Sequence, residues 1–300
     1  MCEGNPIQDG IETAAGAGGE SYREPAWACS RSQSRRELAT VGSMLEHRYG
    51  PQVHILDDAY LLSLIARLAS PETGTEVVPT LVANAYQRMM QEVLAREFPT
   101  TRTRNVTRMT AAEPNANYEG TVMCRRTKLA LCAVIRAGIL PAQVCYQTAA
   151  AVLPPENVRL DFLNMSREVD AANRVTGVRL DGTKIGGPVA GAVLVVPDPM
   201  GATGGTISRV VDVYSQLAGG PPQKVIAVHL MATPEAVQRI TSMHPDVVLY
   251  IARLDRGLSP THVLATPPGT HPALERGLTE SQYIVPGAGG LGELLTNSWI

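Results

Sequence analysis

Residues 193–206 (VLVVPDPMGATGGT) constrain this chain more than any other stretch. An apolar run ends at a single carboxylate, Asp198, and a turn of small residues then closes on Thr203-Gly-Gly-Thr206. A segment with helical periodicity follows at once. Backbone N–H groups and hydroxyls at a helix N-terminus bind phosphate, because the helix dipole favours negative charge there. A lone acid before the glycines suits sugar hydroxyls, so the string predicts a site for a sugar phosphate.

The flanking residues predict a strand-loop-helix-strand unit. Ala192–Val196 has the continuous apolar character of a buried parallel strand, and Val225–Leu230 reads as the next strand. Between them, apolar residues recur at helical spacing, namely Ile207, Val210, Val211, Tyr214 and Leu217. Gly219-Gly-Pro-Pro222 ends that helix. Open α/β sheets bind ligands at the carboxyl ends of their strands. The loop lacks the Gly-Lys-Ser/Thr of a Walker A motif, and an ordinary glycine-rich turn is the alternative.

Elsewhere, strands alternate with helices, which favours a mainly parallel sheet with helices on both faces. Further strands are predicted at Leu129–Ile135 and Val247–Ile251, and a helix at Ile139–Ala151. Another helix begins after Thr233, an N-cap residue followed by a first-turn proline. The pattern from residue 44 to residue 98 is helical, and residues 100–125 are predicted to be loop with a short strand. Residues 1–45 lack apolar periodicity and predict a disordered extension before one domain over residues 46–300.

Composition excludes several classes of function. The chain has 300 residues of which 44% are hydrophobic, enough for one substantial core. A formal net charge of -2 gives no reason to expect nucleic acid or an acidic membrane surface as partner. No apolar run is long enough to span a bilayer. The five cysteines show no Cys-x-x-Cys spacing, so we expect neither a zinc site nor a disulfide framework, and a reducing, cytoplasmic compartment. Cys132 is expected to be a buried small hydrophobe.

Four segments together carry a family resemblance. The Asp198–Thr206 string resembles the phosphoribosyl-pyrophosphate (PRPP) loop of the uracil phosphoribosyltransferases, which pairs an acid with a proline. The segments at 134–139 (VIRAGI), 244–255 (HPDVVLYIARLD) and 283–287 (YIVPG) resemble others of that family, in the same order. The resemblance runs from about residue 46 to the end. It implies an α/β fold of the type I phosphoribosyltransferase class, N-terminal helices that serve subunit contacts and a C-terminal base-binding hood.

The resemblance also implies an activity and its site. The reaction is transfer from PRPP to uracil, giving UMP and pyrophosphate in pyrimidine salvage, with Mg²⁺ bound through PRPP rather than by a side chain. The enzyme would be a homodimer or tetramer. Asp198 would be the catalytic residue that holds the ribose hydroxyls. The implied PRPP-binding residues are Arg136, Arg167, Asp198, Pro199, Met200, Gly201, Ala202, Thr203, Gly204, Gly205 and Thr206. The implied uracil-binding residues, which act through the backbone, are Ile284, Gly289, Gly290 and Leu291.

The two arginines rest on different arguments. Arg136 follows a predicted strand and precedes Ala137-Gly138, so its planar donors can reach over the sheet edge to a pyrophosphate. Arg167 occupies the place of the family's second PRPP arginine, with Arg174 and Arg179 as nearby competitors.

The sequence departs from the family at its C-terminal end. Gly290 stands where the family has its first loop aspartate, and Glu293 stands at the second. Residues 259–282 are largely an insertion, which could be a lid or specificity element or an inert surface loop. These departures keep two alternatives open. One is a PRPP-dependent transferase with another pyrimidine-like acceptor; the other is a catalytically weak homologue that senses nucleotides or binds a partner.

Overall fold

The computed structural model describes residues 43–169, 175–217 and 219–298. The side chains of Arg167, Val169, Val175 and Thr176 are outside that description. The predicted disordered extension falls mainly on residues 1–42, which lie outside the described residues. The prediction also covered Ser43 and Met44, which form the first strand.

Helices and strands are interspersed along the chain. The elements are β1 (Ser43–Met44), β2 (Val53–Asp57), α1 (Ala59–Ala69), α2 (Val78–Glu97), β3 (Thr100–Val106), β4 (Asn117–Met123), β5 (Lys128–Ile135), α3 (Ile139–Ala150), β6 (Val158–Val169), β7 (Val175–Lys184), β8 (Ala192–Pro197), β9 (Met200–Gly201), α4 (Gly205–Ser215), β10 (Lys224–Ala232), α5 (Pro234–Met243), β11 (Val248–Leu254), α6 (Thr261–Leu264) and α7 (Leu291–Thr296).

One twisted sheet organises the domain. Its strand order is β1-β2-β11-β10-β8-β5-β6-β7, with β9 paired to β10. The pairs from β2 to β6 along this order are parallel, and only the outer pairs β1/β2 and β6/β7 are antiparallel. The predicted mainly parallel sheet is therefore confirmed. Strands β3 and β4 form a separate two-stranded hairpin.

The sheet is covered by helices on both faces. Along β8, Val193 and Val195 pack into a core with α1, α2 and α3, whereas Leu194 and Val196 pack into a second core with α4 and α5. A strand buried on both faces needs apolar side chains on both, which explains the continuous apolar run of β8. The free cysteine Cys132 is fully buried, as predicted.

Local sequence signals located most of the elements. The predicted Thr233 cap is confirmed, since its Oγ1 accepts a hydrogen bond of 3.1 Å from the N–H of Ala236 at the start of α5. Three predictions need correction. Residues 100–125 hold two seven-residue strands rather than loop with one short strand. Strand β2 interrupts the predicted helical region, and α4 ends at Ser215 rather than Leu217.

No described helix is both long and apolar enough to cross a bilayer.

A buried carboxylate ties α4 to the sheet. Asp161 on β6 is fully buried and accepts a hydrogen bond of 2.9 Å from the Tyr214 hydroxyl on α4. It also accepts from the Gly186 N–H at 2.9 Å and from Arg159 Nε at 3.2 Å. A buried charge needs such partners, because each one replaces water that the carboxylate has lost. The helix that follows the 198–206 loop is thereby held against β6.

We expect Tyr214→Phe to lower the free energy of unfolding by about 1.5–3 kcal/mol, the usual contribution of a hydrogen bond to a charged group. The matched control is Tyr86→Phe. Tyr86 is also fully buried, but its hydroxyl donates to the neutral Val228 carbonyl at 3.1 Å. That carbonyl keeps the Asp198 N–H as a donor, so the control should lose only about 0.5–1.5 kcal/mol. Urea unfolding of both variants measures the difference; equal losses would contradict the argument.

Candidate functional site

The candidate site lies where β8 and β10 run parallel and β8 ends first. Val228 on β10 lies opposite Pro197, the last residue of β8. Residues 198–204 then form a loop that leads into the N-terminus of α4. The carboxyl edge of the sheet, the loop and a helix N-terminus therefore meet at one place, as the sequence predicted.

The end of β10 fixes the loop by hydrogen bonds to its backbone. The N–H of Met231 donates to the Pro199 carbonyl at 3.1 Å, and that of Thr233 donates to the Gly201 carbonyl at 3.0 Å. The Thr233 hydroxyl donates to the Ala202 carbonyl at 2.6 Å while it also caps α5. One threonine thus links the loop to α5. These contacts order the loop backbone without any ligand.

Two glycines of the loop leave only tight space for a Cβ. Gly204 has a φ of +74°, and a Cβ there would lie 3.0 Å from Ile240 Cγ1 and 3.1 Å from the Ala236 carbonyl oxygen. A Cβ on Gly201 would lie 3.0 Å from Cγ of His229. Glycine at Gly204 is required both for the left-handed backbone and for the close approach of α5.

The loop encloses a pocket suited to an anion attached to a polyol. Gly204 is the N-cap of α4 and has no side chain to bond the first-turn N–H groups. The Thr203 hydroxyl accepts from the Gly205 N–H at 3.4 Å. The pocket is lined by Asp198, Met200, Gly201, Ala202, Thr203, Gly204, Thr206, Ile207, Val178, His229 and Gln282. N–H donors at a helix N-terminus favour phosphate, and the single carboxylate in this lining is an acceptor for hydroxyl groups.

His229 is a pocket residue that sequence reasoning missed. It lies on β10 with 1% of its surface exposed, and its Nδ1 is 2.6 Å from the backbone carbonyl oxygen of Asp198. Its Nε2 has no hydrogen-bond partner among the described residues. Burial lowers the pKa of His229, and the Asp198 carboxylate and carbonyl oppose that shift. The neutral ring therefore donates from Nδ1 and fixes the Asp198 backbone. The only sequence signal for this residue was a lone histidine inside an otherwise apolar predicted strand.

Arg136 follows β5, the neighbour of β8, but lies outside the pocket lining. Its Nη1 donates to the Ser298 carbonyl at 3.0 Å, and its Nη2 is 3.8 Å from Glu293 Oε1 on α7. The Arg136-Ala-Gly138 turn packs against β8, because a Cβ on Gly138 would lie 3.2 Å from the Pro197 carbonyl oxygen. The predicted arginine is thus at the sheet edge and is engaged by the C-terminal segment.

The second predicted arginine, Arg167, lies near the end of β6, opposite Val178 of β7. Val178 lines the pocket, so the strand brings the backbone of Arg167 beside the site. Its side chain is outside the described structure, as is Arg174. The competitor Arg179 pairs with Asp181 at 2.6 Å on the same strand.

The C-terminal loop is anchored by a buried carboxylate that sequence reasoning missed. Asp255, at the end of β11, is 1% exposed and accepts the Gly287 N–H at 2.8 Å. Arg253 donates to Asp255 at 2.5 Å and to the Gly287 carbonyl at 3.0 Å. Both backbone groups of Gly287 are thereby held at the sheet edge.

The four predicted base-binding positions differ in exposure. Ile284 and Leu291 are buried in the core with α2, at 7% and 1% exposure. Gly289 has a φ of +72° with open space where a Cβ would lie, and Gly290 is the N-cap of α7. The structure therefore gathers these positions on one anchored loop, and none of the four is in the lining of the 198–206 pocket.

The inserted residues 259–282 are fixed to the domain and end at the pocket. Glu275 is fully buried and pairs with Arg256 at 3.0 Å. Glu275 also accepts from the Tyr49 hydroxyl and, at 2.8 Å, from the Gly269 N–H. At its end, Gln282 has a φ of 62° and lines the pocket. The insertion thus contributes one side chain to the candidate site.

Comparisons with known proteins agree with this architecture. A family model described as uracil phosphoribosyltransferase matches residues 55–271. The uracil phosphoribosyltransferase of Exiguobacterium sibiricum is 28% identical over 244 residues, which cover 81% of this chain and 97% of that protein. The one of Burkholderia vietnamiensis is 26% identical over 246 residues, covering 82% and 94%. The solved structure of the AQ2163 protein from Aquifex aeolicus matches with a TM-score of 0.62 at 20% identity, over 81% of this chain and 97% of that one.

We expect His229 to make the stability of the protein depend on pH. Its folded-state pKa is lowered, so the unfolded chain takes up a proton near the ordinary value of about 6.5 while the folded ring stays neutral. The free energy of unfolding should therefore fall as the pH drops through that value. His229→Asn keeps a donor for the Asp198 carbonyl but does not titrate. Its unfolding free energy should fall by about 1 kcal/mol less than the wild type's between about pH 7.5 and about pH 5.5.

Urea unfolding at the two pH values measures this difference. His47 and His54, whose pKa values are also lowered by burial, remain in both proteins and cancel in the comparison. Equal losses in the two proteins would show that His229 is not the group responsible.

Proposed function

The chain belongs to the uracil phosphoribosyltransferase family, and we propose that it transfers the phosphoribosyl group of PRPP to uracil, giving UMP and pyrophosphate. The observation that carries the proposal is the 198–206 loop, in which one carboxylate and an uncapped helix N-terminus share a pocket. This pairing matches a ligand that has both hydroxyls and a phosphate.

Different residues of the loop would bind different parts of the ligand. The first-turn N–H groups of α4 and the hydroxyls of Thr203 and Thr206 would bind the 5′-phosphate, as helix N-termini bind anions. Asp198 would accept hydrogen bonds from the ribose hydroxyls. Because Thr233 and His229 already hold the loop backbone, little ordering remains to be done when the ligand binds.

In the reaction, the bond between ribose C1 and the pyrophosphate oxygen breaks, and the electron pair leaves with the pyrophosphate. A ring nitrogen of the base forms the new bond to C1 from the opposite face and releases its proton to water. The transition state resembles an oxocarbenium ion, so catalysis depends on placing the base and stabilising the leaving group. Arg136 and Arg167 would contribute positive charge for the pyrophosphate.

Mg²⁺ would accompany the pyrophosphate and offset its charge. Within the described ranges, no three His, Cys, Asp or Glu side chains are grouped as a metal site. Mg²⁺ in such enzymes commonly binds through one or two carboxylates together with substrate phosphates. Asp198 is the one carboxylate among the described residues that line the pocket and would bind the ribose hydroxyls, so Mg²⁺ would be held through PRPP rather than by a side chain.

The acceptor base would bind at the C-terminal loop, through the backbone of Ile284, Gly289, Gly290 and Leu291. The anchoring of Gly287 by Asp255 and Arg253 supports this assignment, because a backbone that reads a base must hold its position. Gly290 provides no carboxylate there, and Gln282 from the insertion enters the pocket. A different pyrimidine-like acceptor is therefore the alternative within the same reaction class.

A binding protein without turnover is a second candidate, and one contact favours it. Arg136, the arginine assigned to the pyrophosphate, donates to the Ser298 carbonyl and lies near Glu293. If α7 keeps this position, the arginine is not available to the leaving group. The cytoplasmic location and the dimer or tetramer stay predictions. The buried free thiols of Cys132 and Cys145 are compatible with a reducing compartment.

Incubation with PRPP, Mg²⁺ and a panel of bases tests the proposal, with pyrophosphate release as the readout. We expect turnover with uracil. Turnover only with another base selects the alternative acceptor, and binding of PRPP or UMP without turnover selects the binding protein. Absence of any affinity for PRPP and UMP in calorimetry overturns the proposal itself.

We expect Asp198→Asn to reduce kcat/KM for PRPP by roughly 10- to 150-fold, since hydrogen bonds to a charged group contribute about 1.5–3 kcal/mol. The matched control is Asp246→Asn, which changes an exposed aspartate in the turn before β11. The control should retain wild-type kinetics. Steady-state assays at varied PRPP concentration measure both variants, and an unaffected Asp198→Asn enzyme would remove Asp198 from the site.

A further inference from the structure

A second cavity of about 220 Å³ adjoins the pocket of the 198–206 loop. The two share Val178, Thr203 and Gln282 in their linings, so they are contiguous. The second cavity lies between α4 and α5, and its other walls come from β7. Since a water molecule occupies about 30 Å³ in the liquid, this space can hold groups the size of phosphoryl groups.

The lining of the second cavity holds two guanidinium groups and one carboxylate, so its formal charge is positive. Arg209 of α4 and Arg239 of α5 both line it, and neither has an ion-pair or hydrogen-bond partner among the described residues. One carboxylate, Asp212, also lines the cavity but pairs with neither arginine. By contrast, Arg159 and Arg253, which are partly buried like Arg209, are paired with carboxylates. Arg239 is exposed to solvent at the rim of the cavity.

Two buried polar atoms in this cavity are also unsatisfied. Arg209 Nε is buried and has no acceptor within the described ranges. Ser208 is 4% exposed, and its buried hydroxyl has no hydrogen-bond partner among the residues that the structure describes. Buried polar groups are normally hydrogen-bonded, because burial removes their water. Together with the free guanidinium groups, these atoms point to a ligand with anionic oxygens.

The position of the second cavity indicates which ligand supplies those anionic oxygens. Residues four apart lie on the same face of a helix, so Ser208 and Arg209 lie one turn beyond Gly204 and Gly205. A phosphate at the N-terminus of α4 therefore has this cavity beside it. A chain of phosphoryl groups that begins in the 198–206 loop can continue toward Arg209 and Arg239, whereas PRPP has only one phosphate on its C5 side.

We propose that the second cavity is a polyphosphate subsite, in which a pyrimidine nucleoside 5′-triphosphate places its β- and γ-phosphates between Arg209 and Arg239. The α-phosphate would occupy the 198–206 loop, so the inference rests on the proposed function. The triphosphate excludes PRPP from the loop. The triphosphate thereby acts as an inhibitor that competes with PRPP. Kinases that phosphorylate the enzyme's own monophosphate product would supply it.

Titration calorimetry with UMP, UDP and UTP, all in the same EDTA buffer, tests the subsite. In the wild type, UTP should bind at least about tenfold more tightly than UMP, with UDP between them, because charge-assisted hydrogen bonds to phosphate are strong. Arg209→Met and Arg239→Met keep the apolar stems of the side chains but remove their charge. Each should reduce the UTP-to-UMP ratio, and the double variant should bring it close to one, with the affinity for UMP unchanged.

The control is Arg104→Met, which removes an exposed arginine of the β3–β4 hairpin and should leave the ratio at the wild-type value. In the activity assay, UTP should raise the KM for PRPP without changing kcat. If UMP binds but UTP binds no more tightly, or if the variants leave the ratio unaltered, the subsite is wrong while the proposed function stands. If UMP does not bind at all, both fail.

Discussion

The parallel pairing of β8 with β10 is the constraint on which the candidate site depends. Because β10 continues beyond the end of β8, its last residues have free donors and acceptors for the loop that follows Pro197. The Asp198 N–H donates to Val228, and the carbonyls of Pro199 and Gly201 accept from β10 or the residue after it. The loop thus extends the sheet rather than leaving it. Its backbone is set by the same hydrogen bonding that holds the core strands together.

Helix α4 links the loop pocket and the second cavity to the core. Tyr214 near its C-terminal end bonds the buried Asp161, and Ile207 packs between the sheet and α5. Its first turn faces the loop pocket, and the following turn faces the cavity with Arg209. A helix held at both ends cannot move without breaking a buried contact. In this type I phosphoribosyltransferase fold, the proposed phosphate sites therefore lie on an element that is anchored in the core.

Sequence reasoning succeeded where the signal is local and failed where it is not. It placed the loop, the Thr233 cap and most strands, because buried strands and capped helices have their own residue patterns. It predicted one short strand where the structure has both β3 and β4, since a hairpin without a fully buried residue needs no apolar alternation. It recognised Thr233 as a cap but not as a donor to Ala202, which is 31 residues away in the chain.

The sequence by itself determined the strand, loop and helix around Asp198, and the family to which that string belongs. A short-range pattern is sufficient there, since the turn glycines and the helix start are set by neighbouring residues. Only the tertiary structure decided that His229 lies beneath Asp198, that α7 reaches Arg136, and that Arg209 and Arg239, on two different helices, line one cavity. Each of these arrangements brings together residues that are distant in sequence. They depend on how the sheet twists and how the helices pack, which no local pattern encodes.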